Sequence, residues 1–385
     1  MKKYVVDIKN KELYARGAVN ATAKPRTDFM KIAVEDGFVP LEYYTNNCPF
    51  KGTSISEKVL RRLFQYLEHF RMLLSLRDIA HIENSIILFQ YPILHSVMRS
   101  HYLKRLKDNV NQIIALFHDL EEIRYENHGE ICDNVLQYTD FAIYHTPEME
   151  EKAVSAYGVR PASTYLEFFD YLNSFNRDAD VNVDDIKVLY AGNLSKSEFL
   201  KDIHKVEVHD NMQFLIYGKP ESAAPAGTKI IYKGSFNSEE ISAVEGNWGL
   251  VWDGTSIDTC AGPLGEYLRI NAPFKFSMSL ALGIPVIVWT QSAMAQYVEK
   301  YHLGICVEKL DDIHDTVKNL SQEEIELITQ GVQTYSQKVR KGYMLMNALN
   351  EAEEWVTENR GGQRLDYQLV VNLANRYGYC TCMAA

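Results

Sequence analysis

The chain has 385 residues and a mass of 44.2 kDa, too long for one ordinary core and of the size that two domains of about 100–200 residues fill. Hydrophobic residues make up 46% and charged residues 24%, a soluble globular profile rather than a disordered or collagen-like one. The net charge of −11 argues against a general nucleic-acid binder but leaves room for a local phosphate-binding patch.

The opening, MKKYVVDI, sets two lysines before a short β-branched run. A secretory signal needs a longer apolar stretch and a small-residue cleavage site. Lys3–Ile8, Ser85–Tyr91, Gln112–Phe117 and Phe141–His145 read as buried parallel strands, while Ser56–Leu76 and Pro147–Tyr157 have helical spacing. Thr146 fits the N-cap of the second helix, with Pro147 at its first position. Residues 170–185 hold five Asp and three Asn with neither period, and read as a linker. The pattern then restarts. Strands are expected at Lys187–Tyr190, Met212–Tyr217, Thr228–Tyr232, Gly249–Trp252, Pro285–Val288 and Gly304–Val307, with a helix over Phe274–Leu282 ended by Gly283. This alternation predicts an α/β fold of two doubly wound domains with parallel sheets facing across a cleft. Ligands of such sheets bind beyond the carboxyl ends of the strands. No apolar run nears the roughly 20 residues that span a bilayer. The six cysteines are scattered, Cys380 and Cys382 in the tail included, which fits reduced thiols in the cytoplasm.

Four loops carry candidate chemistry. The first is Gly192-Asn193-Leu194-Ser195-Lys196, at the end of an apolar strand. Glycine allows close approach of an anion, successive backbone N–H groups cradle phosphate oxygens, and Lys196 adds a point charge. The same residues also suit an ordinary strand-ending turn. The second, Gly249–Val288, is dense in glycine, small and aromatic residues and brings Asp253, Glu266, Asn271 and Lys275. Lys275 falls in the first turn of a helix, where the macrodipole disfavours a cation unless an anion lies nearby. The third, His118-Asp119 followed by Glu121, comes directly after a predicted strand; it either faces the cleft or forms a satisfied loop pair. The fourth, Lys24-Pro25-Arg26-Thr27-Asp28, stands at a loop-to-helix transition. There Thr27 or Asp28 suits a cap and Arg26 suits an anion. HExxH, CxxC, GxSxG, Walker A and dinucleotide fingerprints are absent.

Taken in order, YAGNLSK, GLVWDG, TCAG, GEYLRINAPFK and LGIPVIVW resemble the bacterial β-1,6-galactofuranosyltransferases of polysaccharide assembly. More distantly they are similar to the second glucosyltransferase that extends glycans on serine-rich streptococcal adhesins. His118-Asp119, Lys24-x-Arg26-x-Asp28 and Phe169-Asp170-Tyr171-Leu172 match as well. The similarity runs from Tyr4 to Glu358, with departures around Tyr43–Phe50 and after Arg360.

The resemblance implies a GT-B fold of two Rossmann-like domains. The acceptor-binding domain would cover 1–169, the linker 170–185 and the nucleotide-sugar domain 186–334. A helix over 335–359 would return to the first domain, and the tail 360–385 has no counterpart. The implied reaction is inverting transfer of galactofuranose from UDP-galactofuranose to a sugar hydroxyl of a growing cell-surface polysaccharide. No metal or cofactor is implied, the UDP-sugar being a substrate. The alternatives are glucosyl transfer from UDP-glucose in glycoprotein (adhesin) glycosylation and a non-catalytic partner subunit. Under the resemblance Gly192, Asn193, Ser195, Lys196, Asp253, Glu266, Asn271 and Lys275 hold the nucleotide sugar. Asp119 is the first choice of base, with His118 and Glu121 beside it and Asp7 as a further carboxylate; Arg26 and Lys24 meet acceptor or anion. A saccharide acceptor compatible with a lipid link, a homo-oligomer, attachment at the inner face of the plasma membrane and no nucleic acid complete the expectations.

Overall fold

The computed structural model describes residues 1–10, 23–46, 48–50, 54–75, 79–92, 96–124, 135–225 and 227–359. The tail with Cys380 and Cys382 lies outside the described residues, as does part of the Tyr43–Phe50 segment.

In the first half, short β-branched and aromatic runs form β1 (Lys3–Asn10), β2 (Val39–Thr45), β3 (Ile86–Tyr91), β4 (Gln112–Phe117), β5 (Phe141–Tyr144) and β6 (Ala162–Tyr165). All pair in parallel, in the order β2-β1-β3-β4-β5-β6. Alternate residues of β3 feed two cores, Ile86 and Leu88 on one face and Ile87, Phe89 and Tyr91 on the other. That is why the run is continuously apolar instead of alternating with polar residues. The second half gives β7 (Ile186–Asn193), β8 (Met212–Lys219), β9 (Ile230–Gly234), β10 (Trp248–Val251), β11 (Val286–Trp289) and β12 (Gly304–Val307). Its order is β12-β11-β10-β7-β8-β9. Counted from its own first strand, this is the 3-2-1-4-5-6 order of dinucleotide-binding sheets. Direction reverses between β7 and β10 there, and between β1 and β3 in the first sheet. The crevices beyond those two switch points are the favoured ligand positions.

The longer helices are α1 (Lys24–Glu35), α2 (Ile55–Ser75), α3 (Ser96–Asp108), α4 (Pro147–Tyr157), α5 (Phe274–Ala281), α6 (Ala295–Tyr301), α7 (Gln322–Arg340) and α8 (Tyr343–Glu358). Thr146 caps α4 as its sequence predicts, accepting from the Met149 N–H at 3.2 Å. Gly283, at φ +71°, ends the turn after α5.

Three expectations need correcting. The strands β2 and β6 escape the sequence pattern because both lie on sheet edges. There Pro40 and polar residues are tolerated and no continuous apolar run is needed. The helix expected to run unbroken over 335–359 is divided between two helices. Gly342 sits at φ +78°, where a Cβ would meet Ile32 at 2.7 Å. α7 packs on α5, and α8 packs against β5, β6 and α1, so the chain crosses back at Lys341-Gly342. Finally, α1 begins at Lys24, so Thr27 and Asp28 lie inside it and neither caps it.

Candidate active site

At the end of β7 the chain turns at Gly192-Asn193. The Asn193 side-chain oxygen accepts from the Ser195 N–H (3.1 Å) and its carbonyl from the Lys196 N–H (3.0 Å) and Ser197 Oγ (2.9 Å). Asn193, Ser195 and Lys196 are exposed on this turn. Beside it, α5 places Lys275 in its first turn. The Lys275 ammonium donates to the Trp252 carbonyl (2.9 Å), Asp253 Oδ1 (2.9 Å) and the Tyr190 hydroxyl (3.3 Å). A lysine has three N–H donors, and all three are engaged. Burial pulls its pKa down, but the Asp253 carboxylate and the Tyr190 hydroxyl outweigh that and the net shift is upward. The anion that this helix start calls for is thus Asp253.

The density of the Gly249–Val288 segment has a packing cause. A Cβ on Gly254 would meet the Ala261 carbonyl at 2.2 Å, and one on Gly265 the Cys260 carbonyl at 2.3 Å. Glu266 lies on the surface, paired with Arg269 at 2.6 Å. Asn271 is buried, and its Oδ1 has no partner among the described residues.

On the facing edge, β4 ends at Phe117 and leads into His118-Asp119. The buried His118 Nε2 lies 2.7 Å from Gln90 Oε1, and its ring stacks on Phe169. Burial, and then Arg26 and His145, push its pKa well below the usual imidazole value, so the ring is neutral. Asp119 accepts from Arg124 Nη1 at 2.9 Å. Burial raises its pKa; Arg124, Arg26, a hydrogen bond from Tyr267 and the charge of Lys196 oppose the rise. The Tyr267 hydroxyl comes from the second half, accepts from the Leu120 N–H at 2.7 Å and donates to Asp119. Two further contacts cross the cleft, from Thr146 Oγ1 to the Ile270 carbonyl (2.7 Å) and from the Ala272 N–H to His145 Nδ1 (3.1 Å).

Models of the glucosyltransferase 3-like family match both halves of the chain, the N-terminal domain model over residues 8–159 and the C-terminal domain model over residues 188–352. The chain belongs to the glucosyltransferase 3-like family of glycosyltransferases.

Beta-1,6-galactofuranosyltransferase WbbI of Escherichia coli (strain K12) is 29% identical over 282 residues, which span 70% of this chain and 80% of that protein. Glucosyltransferase 3 of Streptococcus gordonii is 30% identical over 135 residues, or 34% of this chain and 40% of that one. Among solved structures, the lipopolysaccharide outer core galactosyltransferase WaaB in its apo form superposes with a TM-score of 0.56 at 12% identity, covering 91% of this chain and 99% of the other. The trehalose-6-phosphate synthase OtsA gives 0.51 at 10% identity, covering 92% and 99%. The fold of this glucosyltransferase 3-like chain is GT-B, two parallel six-stranded sheets with their helices.

The structure therefore gathers Arg26 and Asp119 from one half with Lys196 and Tyr267 from the other. Glu121 opens the short helix Glu121–Arg124 just beyond Asp119, whereas Asp7 is buried within β1. Lys24 must be withdrawn from the ligand-binding set. It is fully buried, and its ammonium donates to Asp28 Oδ1 (2.7 Å), the Leu172 carbonyl (2.8 Å) and the Glu239 carboxylate (3.3 Å). No donor remains for a ligand. Tyr267 is a residue of the site to which the sequence gives no role. A tyrosine in a tight, glycine-rich segment looks like core, and nothing in the sequence marks its partner across the cleft.

Proposed function

We propose that the protein transfers galactofuranose from UDP-galactofuranose to a hydroxyl of a saccharide acceptor, inverting the anomeric centre and needing no divalent metal. The observation that carries this reading is the Asp119 carboxylate on the post-β4 loop, with cations and the Tyr267 phenol around it and the Gly192–Lys196 turn opposite. The acceptor oxygen bonds to the anomeric carbon as the bond from that carbon to the diphosphate oxygen breaks. The hydroxyl proton goes to Asp119, and the electron pair leaves with UDP. A carboxylate whose pKa is raised toward the working pH is the better base.

The transition state is oxocarbenium-like, as in glycoside hydrolysis. Negative charge grows on the departing diphosphate, so fixed donors there stabilise the transition state more than the ground state. The backbone of Gly192 and Asn193, with Ser195 and Lys196, takes this role. Lys196 and Arg26 supply the positive charge that a metal ion supplies in other enzymes. Lys275 orients Asp253 for sugar or ribose hydroxyls, with Glu266 and Asn271 beside them. His118 holds the loop, and Glu121 is the second choice of base. The acceptor is read as a growing cell-surface polysaccharide, extended in the cytoplasm.

Galactofuranose is favoured by the match at Trp252-Asp253-Gly254 and Thr259-Cys260 and by a likeness that spans 80% of WbbI. The description of the family models supports a second reading, glucose transfer from UDP-glucose. Supplying each donor with a panel of simple glycosides, and following product by mass spectrometry, separates the two. Product from UDP-galactofuranose alone supports the first reading, and product from UDP-glucose alone replaces it with the second.

A further inference from the structure

At the amino ends of the second sheet's strands lies a group of side chains that the proposed reaction does not use. The loop before β8 and the helix Ile313–Lys318 run side by side there, and the Glu207 N–H donates to Asp311 Oδ1 at 2.9 Å. The His209 ring stacks on the His314 ring with centroids 3.6 Å apart, and Asp315 follows in the helix. One ligand atom from each of these three lies within 4.8 Å of the other two, and no other trio of histidine, cysteine or acidic side chains does so among the described residues. The crevice is at the other end of the strands. Lys219, which pairs with Asn193 of the Gly192–Lys196 turn, closes β8 after eight residues, a run of roughly 23 Å.

The surroundings of His314 are those of a metal ligand. Its Nδ1 lies 3.1 Å from Asp315 Oδ1 and its Nε2 3.2 Å from Asn211 Oδ1. A neutral imidazole has one donor and one acceptor, so it can donate to only one of these oxygens. A cation held between Nδ1 and Asp315 removes the conflict, because Nε2–H then donates to Asn211. Such an outer hydrogen bond is what orients metal-bound histidines. Two ligands of a tetrahedral zinc ion, each about 2.0–2.1 Å from it, stand roughly 3.3 Å apart, close to the observed 3.1 Å. His209 is the part that must move, since a metal lies in the plane of each imidazole it binds and two stacked rings cannot share one. It is half-buried on a loop and its ring makes no hydrogen bond among the described residues, so none is lost when it turns. Asp210 is already paired with Lys229 at 2.7 Å. Two imidazoles and one carboxylate, with water in the fourth position, suit zinc; magnesium and calcium take oxygen ligands.

We infer that His209, His314 and Asp315 bind one zinc ion, with Asn211 orienting His314, and that the ion pins the loop before β8 to the helix Ile313–Lys318. This structural role does not depend on which sugar the enzyme transfers. Calorimetric titration of the full chain with zinc chloride, after treatment with EDTA and desalting, tests it. One equivalent is expected to bind, with a dissociation constant of about 10 µM or below. His314→Ala should weaken binding roughly a hundredfold and Asn211→Ala roughly tenfold. His204→Ala, exposed in the turn just before the loop, should leave it unchanged. Zinc at tenfold excess over the dissociation constant should raise the melting temperature of the unmodified chain by about 3 °C, and magnesium should not. Should His314→Ala fail to fold, Asp315→Asn decides, because that side chain is 80% exposed; its binding should be roughly tenfold weaker. No binding at about 100 µM zinc overturns the inference and leaves His314 and Asp315 a plain hydrogen-bonded pair. Binding that survives His314→Ala and Asp315→Asn overturns it too, as does binding that is lost instead in Cys380→Ser with Cys382→Ser.

Discussion

The floor of the cleft and its rim hold the same kinds of charged residue and use them in opposite ways. At the floor, Lys24, Asp28 and Asp170 are buried. Asp28 accepts from the Leu172 N–H, and Asp170 accepts from the Met344 and Leu345 N–H groups at the start of α8. Burial lifts the Asp28 pKa to about 6 and that of Asp170 to about 7, against the pull of Lys24 on the first and of those N–H groups on the second. Lys24 ties the first half to Glu239 of the second, while Asp28 and Asp170 hold the linker to α1 and to the start of α8. At the rim, Asp119 and Arg124 each keep nearly a third of their side chains exposed, and the groups around Asp119 arrive from separate segments. A charge enclosed by its own protein fixes a hinge; one with an open side can meet a substrate. Lys275 belongs between the two, at the carboxyl end of β7 and β10 but fully engaged.

The largest effect should come from the rim. Asp119→Asn is expected to lower turnover by roughly 10²–10⁴ while UDP affinity stays nearly constant. Turnover close to that of the unmodified enzyme would move the base to Glu121 and blur the contrast between rim and floor. Lys24→Met should do the reverse, leaving UDP affinity alone and costing about 3–5 kcal/mol of stability, because it strands Asp28 in a buried site. A melting curve that does not shift would show the floor to be less tightly tied than its geometry indicates. Lys275→Ala should fall between these, losing about 1–3 kcal/mol of stability through the unpaired Asp253 and weakening UDP-sugar binding as well. Weaker binding with an unchanged melting curve would mean that the ammonium meets the diphosphate directly. Tyr267→Phe is the finest probe. Its hydrogen bond lowers the Asp119 pKa, so its loss should raise that pKa and move the acidic limb of the turnover profile to higher pH. An unmoved or downward-moved limb would separate Asp119 from the proton transfer.

Much of the fold was legible because it is written locally. Strands buried on both faces, such as β3 and β4, are continuous apolar runs, and Thr146 with Pro147 marks the start of α4 in adjacent residues. The edge strands β2 and β6 lack that signal, and the apolar spacing of α7 and α8 runs on past Gly342 and hides the break. The site was legible in its loops and illegible in its pairings. Lys24 in sequence is a basic residue near a helix start; its partners Leu172 and Glu239 lie 148 and 215 residues away. The Tyr267 contact to Leu120 spans 147 residues. No local pattern reports such distances, so the sequence names the charged residues without telling which are enclosed.

Metal-independent galactofuranosyl transfer across this cleft is the proposed reaction. Its most direct test is to incubate the enzyme in excess EDTA with simple glycoside acceptors and either UDP-galactofuranose or UDP-glucose, and to follow glycoside product by mass spectrometry. Product is expected from UDP-galactofuranose, none from UDP-glucose, and no gain on adding magnesium or manganese. Transfer from UDP-glucose alone, or transfer that EDTA stops and manganese restores, would contradict it.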